Sequence, residues 1–216
     1  MIIYLVRHAD TIYNKNSTDD DNSSLALSNF GILEAGAAAK KLRTFGIERV
    51  FSSPITRATQ TAKVISELAG IPVEYDDRLK EFFTDNTSSD RAKLERLKNQ
   101  VWTNSDLVMP SGESLSDSIS RFSSAIHSFS RLSNESIAVV SHRIVMEGFL
   151  SKVFGINDGR HGWLETASVS AISIDNEGVR KLLFYNCRYR DLRLLFRTLK
   201  RFVDNRINSY FNLFHK

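Results

Sequence analysis

Apolar positions fall into two rhythms along the chain. Residues 2–6 (IIYLV) and 137–140 (IAVV) are continuous, largely β-branched runs cut off by polar residues, the pattern of strands buried on both faces of a parallel sheet. Residues 49–52 and 73–75 read as two further short strands. Between them the period lengthens. Ser28 can cap a helix running through Leu42, with Ile32, Ala35, Ala39 and Leu42 at helical spacing, and a second helical pattern follows Pro54 and continues to Leu68. Leu115, Ile119, Phe122, Ile126 and Phe129 predict a helix within 114–132, and 145–154 predicts another. Residues 169–174 and 179–185 flank a turn at 176–178 and predict a hairpin at or near a sheet edge. Residues 14–24, with three consecutive Asp, predict a loop. Alternation of strands and helices predicts a three-layer α/β/α sandwich around a mostly parallel mixed sheet. Residues 77–112 keep no clear period apart from a short helix expected at 90–102, and are expected to form a lid or a substrate-facing insertion.

Composition narrows the class without changing this picture. A length of 216 residues suits one sizeable core, and 42% hydrophobic with 25% charged residues disfavours collagen-like, disordered and membrane-spanning chains. No apolar run approaches the roughly 20 residues of a spanning helix. The apolar start is interrupted by Arg7 and His8, so no signal peptide is expected and a soluble, cytoplasmic chain is. The single cysteine, Cys187, offers neither an internal disulfide nor a cysteine-rich metal site.

Charge changes the picture more. The net charge is +4, but residues 187–216 carry eight Lys/Arg against two Asp, which leaves residues 1–186 at −2. The basic character belongs to the tail. Over 191–214, Leu192, Leu195, Phe196, Leu199, Phe202, Val203, Ile207, Tyr210, Phe211 and Phe214 fall on one helical face, with Arg190, Arg193, Arg197, Lys200 and Arg201 largely off it. Two placements suit this basic amphipathic pattern: docked on the sheet or in a dimer, or lying on an anionic membrane surface. A nucleic-acid partner is not expected, because the near-neutral body supplies no extended basic surface.

Candidate chemistry sits at strand ends. LVRH (residues 5–8) and VVSH (139–142) each put a histidine immediately after a buried strand, where ligands bind in open parallel sheets. Arg7 and Arg57 add planar cationic forks suited to phosphate. Together these residues describe an anion pocket. His127 and His161 lack the spacing of a metal site. Trp102, Trp163, Phe82 and Phe83 could line a substrate wall, although packing is the commoner role of such residues. Glu113 is expected at a helix start, favoured by the positive end of the helix dipole.

RHADTIYN (residues 7–14) resembles the Arg-His-Gly-x-Thr/Ser-x-x-Asn signature of the histidine phosphatase, or phosphoglycerate mutase-like, superfamily, with Ala9 where Gly is usual. LSNFGILEA (27–35), SSPITRATQTA (52–62), LKE (79–81), SGES (111–114) and VSH (140–142) resemble its further elements in order. The resemblance covers roughly residues 1–186. It implies a phosphoglycerate mutase-like fold and a metal-independent, cofactor-free phosphomonoesterase acting on a small phosphorylated metabolite. In that reading His8 is the nucleophile, and Arg7, Arg57, His142 and Asn14 hold the phosphoryl oxygens. Glu81 is the acid and base, with Asp76, Asp77 and Asp85 as alternatives. Arg143 stands where Gly is common, and either meets a more anionic substrate or faces solvent. The residues after Glu81 lack the Tyr-Gly-x-Leu-x-Gly-x-Asn-Lys stretch of the cofactor-dependent mutases, which favours a phosphatase. A mutase-type phosphotransferase and a non-catalytic binder of phosphorylated ligands are the alternatives.

Overall fold

Residues of alternate parity along the first strand enter two different cores, and that fixes the layering. In the computed structural model, Ile3 and Leu5 of β1 (Ile2–Arg7) pack into one apolar cluster, while Tyr4 and Val6 pack into another. β4 (Ile137–Ser141) repeats the division, with Ile137 and Val139 on one side and Ala138 and Val140 on the other. Both strands are therefore covered on both faces, which is why they read as continuous apolar runs. The structure describes residues 1–12, 25–82, 96–97, 99–110, 112–132, 136–156, 164–175, 177–178 and 180–188. The expected loop at 14–24, residues 90–95 of the expected short helix and the amphipathic segment 191–214 lie outside them.

The six-stranded sheet has the order β3-β2-β4-β1-β5-β6, with β2 (Arg49–Ser52), β3 (Val73–Tyr75), β5 (Val169–Ile174) and β6 (Arg180–Cys187) completing it. β3, β2, β4 and β1 are parallel, β5 pairs antiparallel with β1, and the β5–β6 hairpin forms the edge. Helices α1 (Asn29–Thr44) and α2 (Thr56–Ala69) cover one face. Helices α3 (Leu115–Phe129) and α4 (Arg143–Phe154) cover the other. This is the three-layer α/β/α arrangement with a mixed sheet. No helix among the described residues is long and apolar enough to cross a membrane.

Local chemistry explains the element ends. Ser28 caps α1 by accepting from the Gly31 N–H at 2.9 Å, and Ser114 caps α3 by accepting from Asp117 at 3.0 Å. The buried face of α1 is built from small residues. Ala35, Ala38, Ala39 and Leu42 are buried, whereas Ile32 is 50% exposed, contrary to its place in the expected apolar row. Alanines let α1 approach closely, and Gly31 completes the contact: a Cβ there would come within 2.0 Å of the Asp10 carbonyl oxygen, a main-chain atom that cannot step aside. That approach matters because Asp10 belongs to the segment carrying His8.

The region 77–112 is not wholly an insertion over the site. Leu79, Phe82, Val101 and Met109 are buried in the core beneath α3 and α4, and Trp102 packs against the same cluster, so Phe82 and Trp102 serve packing. Residues 83–95, 98 and 111, with Phe83 and Asp85 among them, and Trp163 lie outside the described residues.

Candidate active site

The carboxyl ends of β1 and β4 lie side by side, with Arg7 opposite Ser141, so the residues that follow, His8 and His142, emerge together. Their ring centroids are 5.4 Å apart and both side chains are buried. The His8 main chain is pinned on both sides, its N–H donating to Ser141 O at 2.9 Å and its carbonyl accepting from Ala167 at 3.2 Å. The imidazole Nδ1 lies 2.8 Å from the Ala9 carbonyl oxygen. A carbonyl only accepts, so Nδ1 carries the proton and Nε2 keeps its lone pair. Ala9 is itself fixed by its N–H donating to Thr61 Oγ1 at 3.0 Å.

His142 takes the same tautomer, with the roles of the two nitrogens set by a different neighbour. Its Nε2 lies 2.8 Å from Ser53 Oγ, an oxygen that already accepts from the Ile55 N–H at 3.3 Å. The Ser53 hydroxyl is then free to donate to Nε2, which leaves His142 Nδ1 as an N–H. That atom is buried without a hydrogen-bond partner among the described residues. A buried donor left unmet costs about 1–3 kcal/mol, which an anionic ligand oxygen would recover.

Charge around the two rings is positive. Burial, then Arg57, then Arg7 and Arg143 push the His8 pKa down to about 3, against the Ala9 hydrogen bond, which raises it. His142 is held well below the ordinary histidine range by burial, Arg57 and His8, with smaller contributions from Arg121 and Arg7. Both imidazoles are therefore neutral at pH 7. Arg57, in the first turn of α2, is only 8% exposed. Burial and Arg143 lower the Arg7 pKa, opposed by Glu81, Glu147 and Glu165. Two neutral rings thus sit side by side in the positive field of Arg57 and Arg7, with the His8 Nε2 lone pair unprotonated.

The histidine shifts set a pH dependence of stability. The unfolded chain binds protons on these residues below about pH 6.5, while the folded chain does so only far lower, so stability rises with pH across that window. It is complete above pH 6.5 and is lost as pH falls toward 3. Urea unfolding in phosphate-free buffer should therefore give a lower midpoint at pH 5.5 than at pH 7.5, with a slope of up to about 1.4 kcal/mol per pH unit per histidine. Equal midpoints would contradict neutral burial of the pair.

Glu81 sits at the start of α4. Its Oε1 accepts from Phe82 N–H at 2.9 Å and Val145 N–H at 3.0 Å, and its Oε2 from Ile144 N–H at 3.2 Å. The α4 N-cap is His142, which makes no side-chain cap bond, so Glu81 supplies the missing acceptors at the positive end of the helix. Two of its three alternatives are paired elsewhere, and the third, Asp85, lies outside the described residues. Asp76 pairs with Arg78 at 2.6 Å, and Asp77, 79% exposed at its side chain, pairs with Lys80 at 3.0 Å. Asn14 lies outside the described residues.

Several contributors escaped sequence reasoning. Arg121 on α3 donates to the carbonyls of Arg78, Lys80 and Glu81 at 2.9, 2.6 and 2.9 Å while pairing with Glu113 at 2.5 Å, so it clamps the Glu81 segment. Glu113, expected to favour a helix start, precedes the N-cap and serves Arg121 instead. Glu34 accepts from the Asp10 N–H at 3.1 Å and from Thr166 Oγ1 at 3.0 Å, joining α1, the His8 segment and the turn before β5. Glu34 lies in the LSNFGILEA element, which marked its place and not its contacts; Arg121 lies in none of the quoted elements.

Fold and site together define a class: a three-layer α/β/α protein with two buried, neutral histidines side by side beyond the carboxyl ends of its parallel strands, in a positive field. The chain belongs to the histidine phosphatase superfamily (branch 1), whose family model matches residues 3–187. It is 30% identical over 161 residues to a protein of Yersinia pestis (strain Pestoides F) described as a probable phosphoglycerate mutase GpmB, covering 71% of this chain and 75% of that one. Among solved structures it resembles Bacillus stearothermophilus YhfR, with a TM-score of 0.73 at 21% identity over 86% of this chain and 96% of that one. A mycobacterial glucosyl-3-phosphoglycerate phosphatase in complex with VO3 superposes with a TM-score of 0.70 at 21% identity, over 86% of this chain and 98% of that one. Members of this superfamily among the matches are of phosphatase or mutase type.

Proposed function

We propose that the chain is a metal-independent phosphomonoesterase that hydrolyses a small phosphorylated substrate through phosphohistidine. The observation that carries this reading is the His8 ring: buried and neutral, it keeps a fixed Nε2 lone pair beside His142 and in the field of Arg57 and Arg7. His8 Nε2 attacks phosphorus as the ester P–O bond breaks, and Glu81 donates its proton to the departing alkoxide. Water then attacks the phosphoryl group, Glu81 takes the water proton, and the N–P bond breaks to return neutral His8 and free phosphate. Arg7, Arg57 and the His142 Nδ1–H hold the equatorial oxygens throughout, stabilising charge without a divalent ion. Asn14 is the fourth donor in this reading.

Hydrolysis is favoured over transfer by the sequence after Glu81, which lacks the stretch found in cofactor-dependent mutases. The printed description of the Yersinia relative supports a mutase as the second reading. Incubation with phosphomonoesters, 3-phosphoglycerate among them, with and without EDTA, separates the two. Release of inorganic phosphate unaffected by EDTA is expected. Interconversion of phosphoglycerates faster than phosphate release would replace the hydrolase reading, and EDTA inactivation would remove its metal independence.

A further inference from the structure

The apolar stretch of α4 contains one carboxylate. Val145, Met146, Gly148, Phe149 and Leu150 are buried, and so is Glu147, only 8% exposed. A carboxylate in such a position costs several kcal/mol unless its neighbours compensate, so its contacts carry the reason it is there.

Those contacts lead to Arg7. Glu147 Oε1 accepts from the Leu164 N–H at 2.8 Å. The Leu164 carbonyl accepts from Arg7 Nη1. The Leu164 side chain is 1% exposed, fixed in the same core as α4. Leu164 is thus held from three directions, and its carbonyl is the acceptor that orients the Arg7 fork. Arg7 has no partner for Nε among the described residues, so this acceptor is a main constraint on the guanidinium plane. The charges agree with the geometry. Three carboxylates act favourably on Arg7, of which Glu81 is taken up by the α4 amides and Glu165 pairs with Arg188 near the surface. Glu147 is the buried one.

We infer that Glu147 is a positioning residue for phosphoryl recognition: through Leu164 it sets the orientation in which Arg7 meets the phosphoryl oxygens. Glu147 does not touch substrate. It acts on phosphate binding by holding the main chain that holds the arginine, so that effect passes through Arg7. The inference rests on Arg7 binding the phosphoryl group, as in the function proposed above.

A double-mutant cycle on the full chain tests it, reading competitive inhibition by inorganic phosphate and kcat/KM on an aryl phosphate. Arg7→Ala alone should weaken phosphate inhibition by about tenfold or more, since a charge-assisted bond to the anion is lost. Glu147→Ala should weaken it by about tenfold in the Arg7 protein and by less than about twofold in the Arg7→Ala protein, because contacts acting through one group are not additive. Glu147→Gln, whose amide oxygen can still accept from Leu164, should restore phosphate inhibition to within about threefold of wild type. It also keeps the test informative if the alanine variant melts early. Equal losses in both backgrounds, or no rescue by Gln, would make Glu147 a purely structural anchor and overturn the inference. An Arg7→Ala protein that binds phosphate like wild type would instead overturn the phosphoryl-binding reading on which it rests.

Discussion

Replacement of His8 by alanine should lower phosphate release from an aryl phosphate by about 10⁴-fold or more, because no other group among the described residues of the proposed site offers a neutral lone pair fixed toward a bound phosphoryl group. His142 cannot substitute. Ser53 donates to its Nε2, and its remaining nitrogen carries the proton. Arg7 and Arg57 remain in His8→Ala, so phosphate should still bind, and binding and turnover separate. Wild type mixed briefly with radiolabelled substrate and quenched in alkali should retain covalent label that is lost on acid treatment, the behaviour of a phosphoramidate, and His8→Ala should retain none. Substantial turnover by His8→Ala would discard the covalent mechanism. Phosphate binding by both proteins with turnover by neither would leave a non-catalytic module that recognises phosphorylated ligands.

Strands and motif positions were more legible in the sequence than the contacts that align them. β2, β3 and β5 occupy the residues expected; β2 and β5 are buried, while β3 is an edge strand whose Glu74 and Tyr75 are exposed, so its turn-like flanks at Gly70–Pro72 and Asp76 marked it more than its burial did. Of the apolar row expected for α1, Ala35, Ala39 and Leu42 are buried and only Ile32 is not, because the contacts of this helix with α2 and the Ala9 segment leave room for alanines and turn Ile32 outward. Helix α4 starts at Arg143, two residues before its expected start, because the acceptor for its first amides is Glu81 and not a neighbour in sequence. Arg121 shows the same limit. Its partners are carbonyls about forty residues away, and no periodicity records a bond of that range. Motif residues fared better once their contacts were visible. In SSPITRATQTA, Ser53 sets the His142 tautomer, Arg57 puts its charge on His8, Gln60 holds Leu27 and Thr61 holds Ala9.

Glu81→Gln should produce the second large loss, about 10²- to 10⁴-fold, and its size should depend on the leaving group. Glutamine has nearly the same shape, and its single oxygen can still accept from α4, while Arg121 continues to hold the segment. What disappears is the proton. An alkyl phosphate expels a strongly basic alkoxide, so its first step should suffer most. An aryl phosphate expels a weak base, so His8 should still be phosphorylated, and the missing function is then activation of water in the second step. With an aryl substrate the variant should release close to one equivalent of phenol per site in a burst and then stall as phosphohistidine. The ratio of aryl to alkyl turnover should rise in parallel. An unchanged ratio with no burst would remove Glu81 from proton transfer. Loss of activity on Asp76→Asn with Glu81→Gln unimpaired would move the role to the carboxylate that now pairs with Arg78.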